Sequence, residues 1–387
     1  MTRMPITGNN QPISLYFHIP FCTKKCPYCH FYTCPDTPSF HEQLFLALIK
    51  ELQHNKEKIQ HRDVLSIYFG GGTPFLWESV YFEKLLAYIN TQFKISSKCE
   101  ITIEANPDIV FSSSKKIKQL NQSGINRFSI GVQSFDDPTL HKIGRTHNAK
   151  QALQSIEAVS LAGIKNISID LMLDLPDQNL DNLQLTLSYL SALPITHISL
   201  YNLVIEPYTL FDRRKEKILP SLPKQALSIA LFKKTFKKLK ELGFTRYEIS
   251  AFAKDNLYSV HNTGYWTGRE FLGCGPSAFS YFNETRYKNC HSLSNYLKKI
   301  EKKDGAIDFS EKLPIEQRLT ERLLVYLRLT QGIEKRVFDT QFAKLSAKTI
   351  KTLAFLEEKK LLTQSKQYIR LTAKGFWVYD SIAQMLV

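Results

Sequence analysis

At 387 residues, 43% of them hydrophobic and 22% charged, the chain is long enough for one domain of about 250–300 residues and a small second one. No stretch approaches the ~18 uninterrupted apolar residues of a membrane span, and the polar segment 1–11 has no apolar signal core, so export is not expected. Seven cysteines, three of them clustered, suit a reducing cytoplasm better than a disulfide scaffold. The net charge of +15 is spread along the chain. Its basic runs at 233–240 and 298–303 read as solvated faces of amphipathic helices, with Phe232, Phe236 and Leu239 beneath the first. Charge therefore gives no strong nucleic-acid signal.

Short β-branched and aromatic runs alternate with segments of helical period. Strands are expected at 13–19, 64–69, 100–105, 127–132, 167–173 and 197–202, with a further edge strand at 247–252. Helices are expected at 39–59, 78–90, after the Ser112–Ser114 run, and at 138–143, 149–162, 180–193 and 223–242. This order predicts parallel strands joined by right-handed crossovers. Polar landmarks fall at the C-terminal strand ends, where barrel enzymes assemble their sites. His18, Gly71, Glu104, Gln133 and the Tyr201-Asn202 pair mark five strands, and Asp170 interrupts the apolar run of the fifth in order. The expected fold is α/β: a partial (β/α)6 TIM-type barrel over 1–255, a connecting segment over 256–313, and a small winged-helix-like α+β domain over 314–387. That last domain is read from helices at 318–329, 343–359 and 372–386 around a hairpin of 361–364 and 368–371.

Cys22, Cys26 and Cys29 stand at C-x3-C-x2-C spacing just after the first strand. Thiolates are soft ligands, and iron–sulfur clusters are held by cysteines at such short spacings. Three ligands on a four-iron cluster leave one iron without a protein ligand. The Gly70-Gly71-Gly72-Thr73-Pro74 turn allows close backbone approach with N–H groups to donate, and it lacks the Lys-Ser/Thr of a Walker loop. Arg145 can fork onto a carboxylate, whereas Glu104 and Asp170 can accept from amino or hydroxyl groups. An acidic residue inside an apolar strand should be paired or bound.

These residues resemble the radical S-adenosylmethionine proteins, through His18-Ile19-Pro20-Phe21-Cys22 with its cysteines, Gly71-Gly72-Thr73-Pro74 and Gly131-Val132-Gln133-Ser134. Within them the chain is similar to the group of oxygen-independent coproporphyrinogen III oxidase and its shorter haem-chaperone relatives. The resemblance implies that Cys22, Cys26 and Cys29 hold a [4Fe-4S] cluster. It places Tyr16, Gly71, Gly72, Thr73, Glu104, Gln133, Arg145 and Asp170 at S-adenosylmethionine, with Tyr28 near the adenine. The oxidase branch has a long N-terminal extension and a further cysteine two residues past the last ligand, where Phe31 stands here; Cys34 does not match that position. The segment His261-Asn262-Thr263-Gly264-Tyr265-Trp266 matches the HNxxYW motif of the chaperone branch.

The resemblance thus implies a cytoplasmic haem chaperone that delivers haem to respiratory apoproteins, with transient association at the membrane surface. The alternative it leaves is oxidative decarboxylation of coproporphyrinogen III through a deoxyadenosyl radical. A nucleic-acid-modifying enzyme is the further alternative that the basic charge and the winged module raise. His261 has two readings, as a haem ligand or as a structural histidine hydrogen-bonded to the barrel. Cys99 and Cys290 read as packing or surface thiols.

Overall fold

Six strands lie side by side and parallel in the computed structural model: β1 (Ile13–Ile19), β2 (Val64–Gly71), β3 (Ile95–Ala105), β4 (Arg127–Gln133), β5 (Asn166–Leu173) and β6 (His197–Asn202). The structure describes residues 11–302 and 305–387, so segment 1–10 and Lys303 of the second basic run lie outside the described residues. The strands carry near-continuous buried runs, as parallel strands covered on both faces require. The crossovers are made by α1 (Ser39–His54), α2 (Ser79–Gln92), α3 (Ser114–Gln122), α4 (Ala149–Leu161) and α5 (Leu180–Tyr189), and α6 (Gln225–Glu241) follows β6. Leu44, Leu48 and Leu52 form the buried stripe of α1. Asn148 with Gln151, and Asn179 with Asn182, close capping boxes on α4 and α5.

Two expectations change at the edges. The strand expected at 247–252 is instead two short pieces, β7 (Thr245–Arg246) and β8 (Ala251–Ala253), paired antiparallel. Arg246 Nε donates to the carbonyls of Glu248 and Ile249 at 3.2 and 3.1 Å, which bends the chain between them. At the other edge, segment 256–313 does more than connect. Its strand β9 (Glu270–Cys274) pairs parallel with β1, and β10 (Phe279–Phe282), β11 (Thr285–Asn289) and β12 (Ile307–Lys312) continue antiparallel. The sheet order is β12-β11-β10-β9-β1-β2-β3-β4-β5-β6-β8-β7, an open arrangement with no closed barrel among the described residues. Antiparallel strands cover both margins of the parallel run.

A buried carboxylate ties this added edge to the barrel. Glu51 of α1 is 5% exposed and accepts from Gly275 N at 2.8 Å, Asn289 Nδ2 at 2.6 Å and Tyr296 OH at 2.6 Å. Burial nevertheless pushes its pKa up from the ordinary 4.5 to about 7, against those hydrogen bonds. The folded chain therefore holds a proton that the unfolded chain has released between these values. The contribution of Glu51 is full below pH 4.5 and is lost as pH rises through 7. We expect wild-type stability to fall across that window by up to about 3 kcal/mol more than that of Glu51→Gln. Denaturant unfolding from pH 4.5 to 8 checks this, and parallel curves for the two proteins would refute it.

The C-terminal part has its own core, built on Leu323, Leu327, Ile333, Phe338 and Leu356. It comprises α9 (Ile315–Leu327), α10 (Ala347–Glu358) and α11 (Tyr379–Leu386), with a sheet of β13 (Ile333–Glu334), β14 (Leu362–Gln364) and β15 (Tyr368–Leu371) in the order β13-β15-β14. The helix expected over 372–386 breaks at Val378, between Ala373–Trp377 and α11.

Candidate functional site

The three cysteines lie on the loop after β1, each only partly exposed and none in a disulfide. Cys29 N donates to Cys26 O at 3.0 Å, a tight turn that sets Tyr28 between two thiols. The loop is held from below by close packing. A Cβ on Gly144, whose φ is +74°, would lie 2.5 Å from Pro27 Cδ, so only glycine lets the turn before Arg145 sit against the cysteine loop.

A polar chain links two of the sulfurs. Cys22 Sγ meets Thr73 Oγ1 at 3.4 Å, and Asn106 Nδ2 donates to the same Thr73 oxygen at 3.0 Å. Arg145 Nη2 donates to Asn106 Oδ1 at 2.8 Å and to Gly131 O at 2.7 Å, while its Nη1 reaches Cys26 Sγ at 3.3 Å. Three strand ends and one loop thereby fix Cys22 and Cys26 against each other. Arg145 is not free to fork onto a carboxylate as the sequence led us to expect: only its Nε is left buried without a partner among the described residues.

The glycine turn also differs from expectation. Gly71 N donates to Glu104 Oε2 at 3.2 Å, Gly72 N to Ile19 O at 2.9 Å and Thr73 N to Phe21 O at 2.7 Å. These N–H groups brace the turn instead of pointing at a ligand. A Cβ on Gly72 would come within 2.6 Å of the Pro20 and Phe21 carbonyl oxygens, so the glycine serves the approach of one loop to the other.

Around the loop, Glu104 accepts from Tyr68 OH at 2.7 Å, Ser129 Oγ donates to Asp170 at 3.4 Å, and Tyr201 OH donates to Gln133 Oε1 at 3.0 Å. Gln133 takes a φ of +69° at the end of β4, which turns its amide onto the rim. Burial raises the pKa of Glu104 to about 7, with Asp170 nearby adding to it, and burial also raises Asp170. Tyr16 OH meets His18 Nδ1 at 3.1 Å. The structure thus gathers Tyr16, Gly71, Gly72, Thr73, Glu104, Gln133, Arg145 and Asp170 about one end of the parallel sheet. Asn106 and Tyr68 were missed. Asn106 lies one residue past β3 and Tyr68 inside β2, and only their partners across neighbouring strands reveal them.

Burial pushes the Cys22 thiol up to about 11 and raises Cys29 as well, so loading a metal group here must displace protons. Among the described residues, no three His, Cys, Asp or Glu side chains close around a single ion. Three partly exposed thiols on one loop are the donor type of an iron–sulfur cluster, in which each thiolate meets a different iron. Cys34 is half-buried in a short bridge with Phe21, outside this trio, and Cys99, Cys274 and Cys290 are buried among apolar residues.

His261 is 1% exposed and lies beneath the Tyr16–Tyr68 pair, 4.8 Å from the Tyr68 ring centroid. Ser66 Oγ donates to Ser14 Oγ at 2.9 Å, so it accepts from His261 Nδ1 at 3.0 Å; Nε2 then accepts from Tyr265 OH at 2.7 Å. Burial lowers its pKa to about 3, which keeps the ring neutral. Both nitrogens are engaged within the protein, the arrangement of the structural reading of His261, and an iron at Nε2 would have to displace the Tyr265 hydroxyl.

Residues 16–190 match the Radical SAM superfamily, and residues 313–378 match the HemN C-terminal domain. The Heme chaperone HemW of Bacillus subtilis (strain 168) is 34% identical over 366 residues, covering 94% of this chain and 96% of that protein. The chain belongs to the radical SAM superfamily, in the HemW family. The HemW of Lactococcus lactis is 35% identical over 96% of both chains. That of Escherichia coli (strain K12) is 35% identical over 69% of each. Among solved structures, coproporphyrinogen III oxidase (HemN) from Escherichia coli, a radical SAM enzyme, superposes with a TM-score of 0.85 at 22% identity, over 99% of this chain and 91% of that one. That likeness fixes the fold: an α/β protein on a large, mostly parallel sheet with a HemN-type C-terminal domain.

Proposed function

We propose that this protein is a haem chaperone of the HemW kind, working in the cytoplasm and delivering haem to respiratory apoproteins. The carrying observation is the polar chain from Cys22 through Thr73, Asn106 and Arg145 to Cys26, beside a rim of acceptors. Cys22, Cys26 and Cys29 would hold a [4Fe-4S] cluster, with S-adenosylmethionine seated at Glu104, Gln133 and Asp170. When bound, these groups supply an electron source and a sulfonium open to reductive cleavage. The residues of the chain bind and orient. Glu104 and Asp170 accept from amino and hydroxyl groups, Gln133 offers its amide, and Arg145 fixes the Cys26 sulfur. The domain division follows the same reading, with a partial barrel over 1–255, segment 256–313 carrying the HNxxYW helix, and a winged-helix-like docking or lid module over 314–387.

No helix among the described residues is long and apolar enough to cross a membrane. The net charge of +15 suits transient approach to an anionic membrane surface, where respiratory apoproteins are met. Anaerobic reconstitution with haem and S-adenosylmethionine tests the reading, following haem uptake and deoxyadenosine release together. The expected result is stoichiometric haem uptake without turnover of coproporphyrinogen III. Sustained formation of protoporphyrinogen would make it an oxidase instead.

A further inference from the structure

With both nitrogens of His261 occupied within the protein, a haem is better served by another seat, and a cavity among the described residues has the chemistry for it. A space of ≈ 550 Å³ opens between the added sheet edge, the loop after Cys29 and helix α9 of the C-terminal part. That volume falls in the range of small-molecule and cofactor sites. Its walls are mainly aromatic, with Tyr265, Trp266, Phe271 and Tyr281 inside and Phe31 and Phe279 at the mouth. Those last two are 56% and 49% exposed, a large apolar surface for two rings that line one cavity. Tyr16 and His18 line both this cavity and the rim described above.

Three histidines border it, and hydrogen bonds set only His18 apart from the other two. His18 has both nitrogens engaged, Nδ1 with Tyr16 OH and Nε2 with Tyr32 O at 3.0 Å. His30 packs at a tilt against Phe31, ring centroids 4.4 Å apart, and is likewise without a hydrogen-bond partner among the described residues, but it follows Cys29 directly and so belongs to the cysteine loop. His291 lies between β11 and α8 (Leu293–Glu301), on a segment whose neighbours are pinned: Cys290 N donates to Ala306 O at 2.7 Å, and Leu293 N donates to Tyr32 OH at 2.8 Å. The ring of His291 meets Tyr32 edge-on at 4.4 Å, and neither of its nitrogens has a hydrogen-bond partner among the described residues. Burial and the charges of Lys288 and Lys25 lower its pKa, which favours the neutral, ligating imidazole.

The cations of the cavity are also unequal. Arg286 is held by Glu311 and Glu321, at 2.6 and 2.7 Å. Arg269 donates to Ser14 Oγ and Val260 O, at 3.2 and 3.1 Å. Lys288 and Arg322, by contrast, lie over aromatic rings, at 5.0 Å from Phe279 and 4.0 Å from Tyr281, with no carboxylate within ion-pair distance among the described residues. They can turn their charge toward carboxylates of a planar guest while the rings pack on its face.

We propose that this cavity is the haem seat, with His291 as the axial ligand to iron and Lys288 and Arg322 facing the propionates. The proposal rests on the haem-chaperone reading and adds to it the site and the ligand. The test uses the full-length, cluster-reconstituted protein titrated with hemin and, separately, with iron-free protoporphyrin IX. His291→Ala should shift the Soret band and weaken hemin binding about tenfold or more, while protoporphyrin IX binding changes less than about twofold because no iron is there to ligate. Lys288→Glu should weaken both guests, and His30→Ala and His261→Ala should leave the Soret band where it is. His291 is exposed at the mouth, and retention of the cluster absorbance in the variant verifies its fold. A wild-type Soret band and affinity in His291→Ala would overturn this assignment and leave the chaperone reading standing. A band that moves in His30→Ala instead would overturn it equally. Failure of the wild-type protein to bind hemin would overturn the chaperone reading itself, and this inference with it.

Discussion

Cys26→Ser is expected to lose the iron–sulfur absorbance of the reconstituted protein while the chain stays folded. The sulfur of Cys26 is one of three thiols on a single loop, and Arg145 Nη1 points at it from 3.3 Å. A serine oxygen is a hard donor, poorly matched to iron in a sulfide cluster. Losing a direct ligand should cost at least the about tenfold to hundredfold in metal retention that even indirect partners command. Stability should hardly change, because the loop is partly exposed and outside the core; about 0.5 kcal/mol is the scale of such substitutions. Cys34→Ser is the matched control and should keep its full complement of iron. Iron and sulfide analysis after anaerobic reconstitution, with far-UV circular dichroism, separates the two variants. An undiminished cluster in Cys26→Ser would remove that residue from the ligand set.

Glu100→Ala should be the most destabilising single change in the barrel interior, by about 3–5 kcal/mol. Glu100 is 5% exposed and Arg127, 3.8 Å away, is 2% exposed, so removing the carboxylate leaves a buried guanidinium without its counter-charge. The same carboxylate accepts from the backbone of Val260 at 2.9 Å and of His261 at 3.0 Å. It therefore caps helix α7 (Val260–Trp266) and holds it against β2 and β9. The variant should lose the anchoring of that helix together with its stability, seen as faster hydrogen exchange over 260–266. The double change Glu100→Ala/Arg127→Met should recover a large part of the loss, since no buried charge is then left alone. A single variant as stable as the wild type would show that the pair and the cap are not what holds the helix.

The two histidine readings show where a sequence motif stops being informative. His261-Asn262 with Tyr265-Trp266 identifies the branch, yet its histidine is turned inward and saturated by Ser66 and Tyr265. Ser66 is 195 residues away in sequence. No local pattern announces that the third residue of β2 will sit opposite this ring. His291, in contrast, carries no motif, and its place beside Tyr32 arises from the pairing of β9, β10 and β11 onto the barrel edge. The glycine turn is a milder case: the sequence marks a close approach, and the structure shows that the approach is between two loops of the protein, with the N–H groups already paired.

The order of strands and helices, the grouping of the cysteines and the polar residues at the strand ends could be read from the sequence by itself. Each of these is written locally, in the period of apolar residues, in thiols three and four apart, and in charges that interrupt buried runs. Those signals were enough to identify the superfamily. The tertiary structure alone decided the partners across strands: Asn106 between Thr73 and Arg145, Glu100 under the HNxxYW helix, and β9 beside β1. Which side chains face one another is set by strand register and by the burial of charges that must be paired, and both depend on residues far apart in the chain. For the same reason the cysteines name the superfamily of this protein, whereas the aromatic cavity, assembled from four separate segments, carries the proposal for its cargo.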